Sequence, residues 1–137
     1  MKSIRLLFKL LFFIYICMVF FFCLYSFNDT GVDLSKYFMG IRVDRIAHFV
    51  MFFPYPFSAW LAVKKELREK CGKYSHIILF ISGVSLALIT EGMQSLNPSR
   101  DTDPLDLVAN ITGILFATII IYILEKFIDN VWPDRLQ

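Results

Sequence analysis

Residues Glu91–Asn110 read EGMQSLNPSRDTDPLDLVAN and join two strongly apolar segments. The stretch is rich in groups that a bilayer rejects: Glu91, Gln94, Arg100, Asp101, Asp103, Asp106 and Asn110. An acid at the end of one apolar helix and an amide inside the next cost free energy in hydrocarbon unless they are paired or used. The flanking sequence decides whether hydrocarbon is the solvent.

The chain has 137 residues, 57% of them hydrophobic and 17% aromatic, and a mean hydropathy of +0.60. That is too apolar for an ordinary soluble domain. The apolar residues also come in blocks. Leu10–Tyr25 is 16 residues long, Ile46–Val63 is 18, Ile77–Ile89 is 13 and Leu107–Leu124 is 18. A bilayer-spanning helix takes about 20 mostly apolar residues, fewer where flanking side chains snorkel. The expected architecture is therefore an all-α membrane protein forming one domain over residues 1–137. Four transmembrane helices are expected, at about 6–27, 44–63, 74–96 and 104–125, with short loops between them.

Basic residues set the expected orientation. Lys2, Arg5 and Lys9 precede or begin the first span, and Lys64, Lys65, Arg68, Lys70 and Lys73 lie between the second and third. Lys126 and Arg135 follow the fourth. Placing both termini in the cytoplasm puts these ten on the inner side against Lys36, Arg42, Arg45 and Arg100 on the outer side. The positive-inside bias then turns the polar stretch outward. The first block reads as a retained anchor rather than a cleaved signal. Its apolar run is long, no small-x-small cleavage site follows it, and Phe20, Phe21 and Phe22 before Cys23 are too bulky for lipid attachment. Cys17, Cys23 and Cys71 form no metal or redox pattern.

Within the second span, Asp44 and His48 are four residues apart and share a helical face. Pro54 and Pro56 each remove a backbone donor and predict a kink, with the freed Val50 and Phe52 carbonyls met by neighbouring helices. Trp60 falls near the inner interface, and His76 reads as an interfacial residue near lipid headgroups. Residues 28–43 show no clear periodicity and are expected to form an irregular outer loop or a short interfacial segment. Gly83, Ala87 and Glu91 share a face of the third span, as do Asn110, Gly113 and Ala117 on the fourth. Small residues at this spacing let helix backbones approach closely in a membrane, so these two faces are expected to meet and bring Glu91 toward Asn110. Asp103 before Pro104 reads as an N-cap with proline in the first helical position, and Asp106 falls in the first turn.

Depth ties these residues together. His48, Glu91 and Asn110 each lie about one helical turn, roughly 5–6 Å, inside the outer boundary. Asp44, Gln94 and Asp106 sit at the boundary itself. Three helices thus place polar pairs at one level, which predicts a shared outward site or an interhelical hydrogen-bond clamp.

The set Asp44–Arg45–x–x–His48–Phe49, Glu91–x–x–Gln94, Arg100, Asp106 and Asn110–x–x–Gly113 resembles the VanZ-like family over roughly Asp44 to Leu124. Ala117 stands where many members have a second glycine, and Pro54–Tyr55–Pro56 departs from the usual run after His-Phe. The resemblance implies a multi-pass protein of the bacterial cytoplasmic membrane and cell envelope. Through the family's namesake it also implies an association with low-level resistance to the glycopeptide teicoplanin.

Two functions compete. In the first, Asp44, His48, Glu91, Gln94, Arg100, Asp106 and Asn110 bind an amphiphile such as a lipid, a lipid-linked precursor or a lipoglycopeptide. Arg100 would pair with its anionic headgroup, because a guanidinium fork suits carboxylate or phosphate. In the second, the chain is a small intramembrane hydrolase or transferase. His48 or Glu91 would act as general base, with Arg100 and Asn110 stabilising negative charge. The absence of a serine or cysteine nucleophile beside the cluster requires direct attack by water. No cofactor or metal is expected. A hard cation on Asp44, Glu91, Asp103 and Asp106 is the minor alternative, and the Asp101–x–Asp103–x–x–Asp106 run is not an EF-hand loop. Nucleic-acid binding has no support, because the basic residues are few and line the membrane edge.

Overall fold

The first helix, α1 (Lys2–Leu24), carries no acid and leaves Leu6, Phe13 and Phe21 more than half exposed. The structure, a computed structural model, describes residues 2–25, 36–96 and 103–131. A small antiparallel hairpin precedes the second apolar block. It pairs β1 (Tyr37–Phe38) with β2 (Ile41–Arg42) through a turn in which Met39 and Gly40 both have positive φ. Two such residues match the twist of a two-residue hairpin, a local signal that an apolar periodicity does not register.

Four further helices follow: α2 (Val43–Phe52), α3 (Tyr55–Cys71), α4 (Ser75–Ser95) and α5 (Pro104–Val131). The expected proline kink falls at Phe53 and Pro54, which keep helical φ and ψ while the hydrogen-bond ladder lapses, dividing the second block into α2 and α3. The Phe53 amide still bonds the Phe49 carbonyl at 2.9 Å, but Pro54 and Pro56 cannot continue the ladder. The helix restarts at Tyr55, with Pro56 in its first turn, where a missing donor costs little. The Met51 carbonyl beside the break accepts a bond from the Tyr15 hydroxyl of α1 at 2.6 Å. Helix α3 also runs eight residues past Val63, through what the sequence suggested was a connector. Its Lys-, Glu- and Arg-rich end is made of helix formers, with Lys65 and Glu69 paired at 3.9 Å one turn apart. Gly72, at a φ of 51°, stops it, and a single 3-10 turn over Gly72–Tyr74 leads into α4.

Side-chain pairings fix the helix directions. Lys9 of α1 meets Glu66 of α3 at one end, while Gln94 of α4 donates to the Cys23 carbonyl of α1 at the other, at 2.8 Å. Glu125 of α5 meets Arg68 of α3 and His76 of α4. Helices α1 and α4 therefore run one way, and α2–α3 and α5 run the other. Three stretches, Ile4–Leu24, Val43–Ser95 and Pro104–Phe127, are long and apolar enough to cross a membrane, and the second of these doubles back on itself. The interior is apolar in its middle, from Val19, Phe52, Ala87 and Ile114 to Tyr55, Ala59, Leu79 and Ile121. Polar clusters lie at both ends.

The closest backbone approach is not the one expected. Gly83 of α4 does face α5, but it lies against the side chains of Ile114 and Tyr55. Gly113 of α5 instead lies on the backbone of α2, where a Cβ would stand 2.8 Å from the Phe49 carbonyl oxygen and 3.3 Å from the Phe53 nitrogen. At Gly113, α5 thus lies on the backbone of α2, an approach that only a residue without a Cβ allows.

Candidate functional site

That close approach positions the polar end of the bundle. His48 comes one residue before Phe49, and Asn110 one turn before Gly113, so seating Gly113 on α2 brings the two polar side chains face to face. His48 Nδ1 lies 3.0 Å from Asn110 Oδ1, and both residues are buried. With the amide in this orientation, the Nδ1–H donates to Oδ1. The other ring nitrogen, Nε2, then faces Asp44 Oδ1 at 3.8 Å and Asp106 Oδ2 at 4.0 Å. Asp106 is 4% exposed and Asn110 is 0% exposed. Among the described residues, Asp106 Oδ1 and Asn110 Nδ2 have no hydrogen-bond partner.

An ionic clamp closes the cluster from outside. Asp103 Oδ2 accepts from Arg45 at 2.7 Å and from Arg42 at 3.1 Å, while Arg42 also stands 3.7 Å from Asp44. The other oxygen, Asp103 Oδ1, accepts the Leu105 amide at 3.0 Å, so the expected N-cap of α5 is present. One carboxylate thus starts α5 and ties it to the start of α2.

The site residues expected from the sequence separate into groups. Asp44, His48, Asp106 and Asn110 come together at the starts of α2 and α5. Gln94 is buried against α1, on the Cys23 carbonyl, where it links helices. Glu91 is half-buried on α4, three residues before Gln94. Arg100 lies outside the described residues. Helical phase explains the difference: residues at one depth need not share a direction, and α4 turns Gln94 toward α1. Arg42 had been read only as a loop charge, and Asp103 as a cap or a minor cation ligand. The signal for their pairing was available in Arg42 and Arg45, three residues apart beside an acid, opposite an Asp-Pro helix start.

A second cluster, at the other end, was missed entirely. Glu125 is buried and meets Arg68, Lys64 at 3.9 Å and His76 Nε2 at 2.6 Å. His76 lies between the Trp60 ring, at 4.8 Å, and the Tyr122 ring, at 5.4 Å. It is an interior partner of an acid rather than a headgroup contact, because α4 begins with its first turn packed on α3 and α5.

Comparison with protein-family models, curated proteins and solved structures finds no match for this chain. The reading of the site therefore rests on its own chemistry.

The arginine clamp has a pH signature. The hydrogen bond from Arg45, then the Leu105 amide and the nearby arginine charges, hold the Asp103 carboxyl below the usual aspartate range. A depressed folded-state pKa contributes stability that is present above the unfolded value, about 3.9, and lost as pH falls through the folded value. Asparagine at 103 keeps a capping oxygen but no charge. In thermal melts in detergent, Asp103→Asn is expected to fall below wild type by a constant margin near neutral pH. The margin should close as the pH drops below the ordinary aspartate range. A margin unchanged by acid would show that the clamp is not ionic.

Proposed function

We propose that the chain crosses the bilayer four times with both termini in the cytoplasm, and that its α2–α5 polar end binds the headgroup of an amphiphile from the outer leaflet. The ligand class is a lipid, a lipid-linked precursor or a lipoglycopeptide. The observation that carries this reading is the pair of buried polar atoms, Asp106 Oδ1 and Asn110 Nδ2, that have no partner among the described residues. An acceptor and a donor left open at an apolar bundle's end cost about 1–3 kcal/mol each unless something fills them. The exposed apolar faces of α1 and α5, and the ten-to-four bias of basic residues, support the bilayer placement. The resemblance to the VanZ-like family favours the same assignment, and with it a role in glycopeptide resistance.

Native mass spectrometry of the chain purified in mild detergent tests the proposal. A retained lipid is expected on wild type and is expected to fall about tenfold, roughly 1.4 kcal/mol, in Asn110→Ala. Equal retention by folded Asn110→Ala, or no retained amphiphile across envelope lipid extracts, would overturn it. A hydrolase or transferase reading is the second, favoured by one feature: Asn110 orients His48 so that Nε2 lies between two acids.

A further inference from the structure

We propose that Asp44, His48 and Asp106 bind a divalent transition-metal ion, of the zinc or manganese class. One ligand atom from each residue falls in a group within 4.8 Å of one another. Proximity alone does not make a metal site. The decisive feature is the direction of the imidazole. With Nδ1 of His48 hydrogen-bonded to Asn110 Oδ1, the other ring nitrogen, Nε2, points at two carboxylates. One nitrogen and two carboxylate oxygens then face one another.

At 3.8 and 4.0 Å both carboxylates lie beyond direct hydrogen-bond range of Nε2. A metal suits the spacing better. Two ligands about 2.0–2.2 Å from one tetrahedral ion lie roughly 3.3–3.6 Å apart, so small rotations of the side chains close the set. Two carboxylates attract a divalent ion, although Arg42, 3.7 Å from Asp44, offsets part of that charge. The arginines do not neutralise Asp106 by contact, since both are engaged with Asp103.

Three further features fit. Asp106 is buried with Oδ1 unpartnered among the described residues, leaving it available to the ion. Asn110 holds the remote imidazole nitrogen, the usual way a protein fixes the tautomer of a ligating histidine. A nitrogen with two carboxylates favours zinc, manganese or iron over calcium or magnesium. The site differs from the all-oxygen set weighed from the sequence, in which Asp103 was a ligand. Here Asp103 is occupied by the arginines.

Three protein ligands leave a coordination position open. The inference rests on the amphiphile reading only in what fills that position, where an anionic headgroup oxygen or water would bind. The test does not depend on it. Full-length protein, purified in detergent and stripped with chelator, is titrated with Zn2+, Mn2+ and Co2+, with metal content and the cobalt visible spectrum as readouts. One ion per chain is expected. Asp106→Asn and His48→Ala are expected to weaken binding on the order of 100-fold, and Asn110→Ala about tenfold. Asp44→Asn, at the rim of the cluster, serves if His48→Ala fails to fold, and only monodisperse protein of wild-type helicity is compared. His76→Gln, at the opposite end, should bind like wild type. The inference is overturned if folded wild type takes up no stoichiometric metal, if Asp106→Asn binds as tightly, or if His76→Gln abolishes binding. Metal without copurifying lipid would defeat only the amphiphile reading. Lipid retained with no metal would defeat only this one.

Discussion

Gly113→Leu is expected to prevent the bundle from assembling at its polar end, and Gly113→Ala to destabilise it by about 1–3 kcal/mol, the usual cost of overpacking. The reason is geometric. The first side-chain atom at this position meets the Phe49 carbonyl oxygen at 2.8 Å and the Phe53 amide nitrogen at 3.3 Å, and both are backbone. Backbone cannot rotate aside, so α2 and α5 must separate. Gly83→Ala is the internal control, because its new atom meets only the Tyr55 ring and the Ile114 side chain, at 2.9 Å. Those groups are buried side chains that must repack, which costs less than separating two backbones, so a smaller loss is expected there. Separation at Gly113 also opens the site. His48 and Asn110 flank this contact, and a shift of about 1 Å takes their 3.0 Å bond beyond hydrogen-bond range. Thermal melts of both variants in one detergent, with metal affinity measured on folded Gly113→Ala, check the linkage. Gly113→Ala as stable as Gly83→Ala would show that the α2–α5 contact is looser than described.

The contrast between these two glycines shows what the sequence made legible. Spacing along each helix identified Gly83, Ala87, Asn110, Gly113 and Ala117 as close-packing residues. Spacing does not say which neighbour they pack against, and Gly113 lies on the backbone of α2 rather than on α4. The same limit governs the site. Asp44, His48, Asp106 and Asn110 were recoverable from depth, since period and boundary are properties of the chain. Gln94 had the right depth and the wrong direction, because helical phase relative to other helices is a property of the packing. Helix α3 was underestimated for a different reason. The run from Lys64 to Cys71 is polar enough to end a membrane span, yet its residues favour helix, so the span and the helix end in different places.

The two polar ends of the bundle divide the charged groups in different ways. At the α2–α5 start, three acids face two arginines among the described residues, and a carboxylate oxygen and an amide nitrogen remain open on side chains that are almost fully buried. At the other end, Glu125 forms a clamp with Arg68, Lys64 and His76 between α3, α4 and α5. That clamp is not sealed, because Lys64 and Arg68 also line a pocket with Arg5 and Glu66.

The clamp should be costly to break. Glu125→Gln leaves Arg68, Lys64 and His76 facing one another around a neutral amide. Removing one member of a buried ionic group costs about 3–5 kcal/mol, because the remaining charges stay desolvated. Here the cations keep some water, with side chains 17% exposed for Lys64, 19% for His76 and 35% for Arg68. A loss of about 2–3 kcal/mol is therefore expected, which lowers the melting temperature by roughly 10 °C in a chain of this size. Glu125→Asp should recover part of that loss. Combining Glu125→Leu with His76→Leu should cost less than the sum of the single changes, since His76 is then not stranded without its acid, although Arg68 and Lys64 still are. Metal binding at the opposite end should survive Glu125→Gln in protein that remains folded. A melting temperature within a degree or two of wild type would mean that water or headgroups screen Glu125, returning His76 to the interfacial role its sequence suggested.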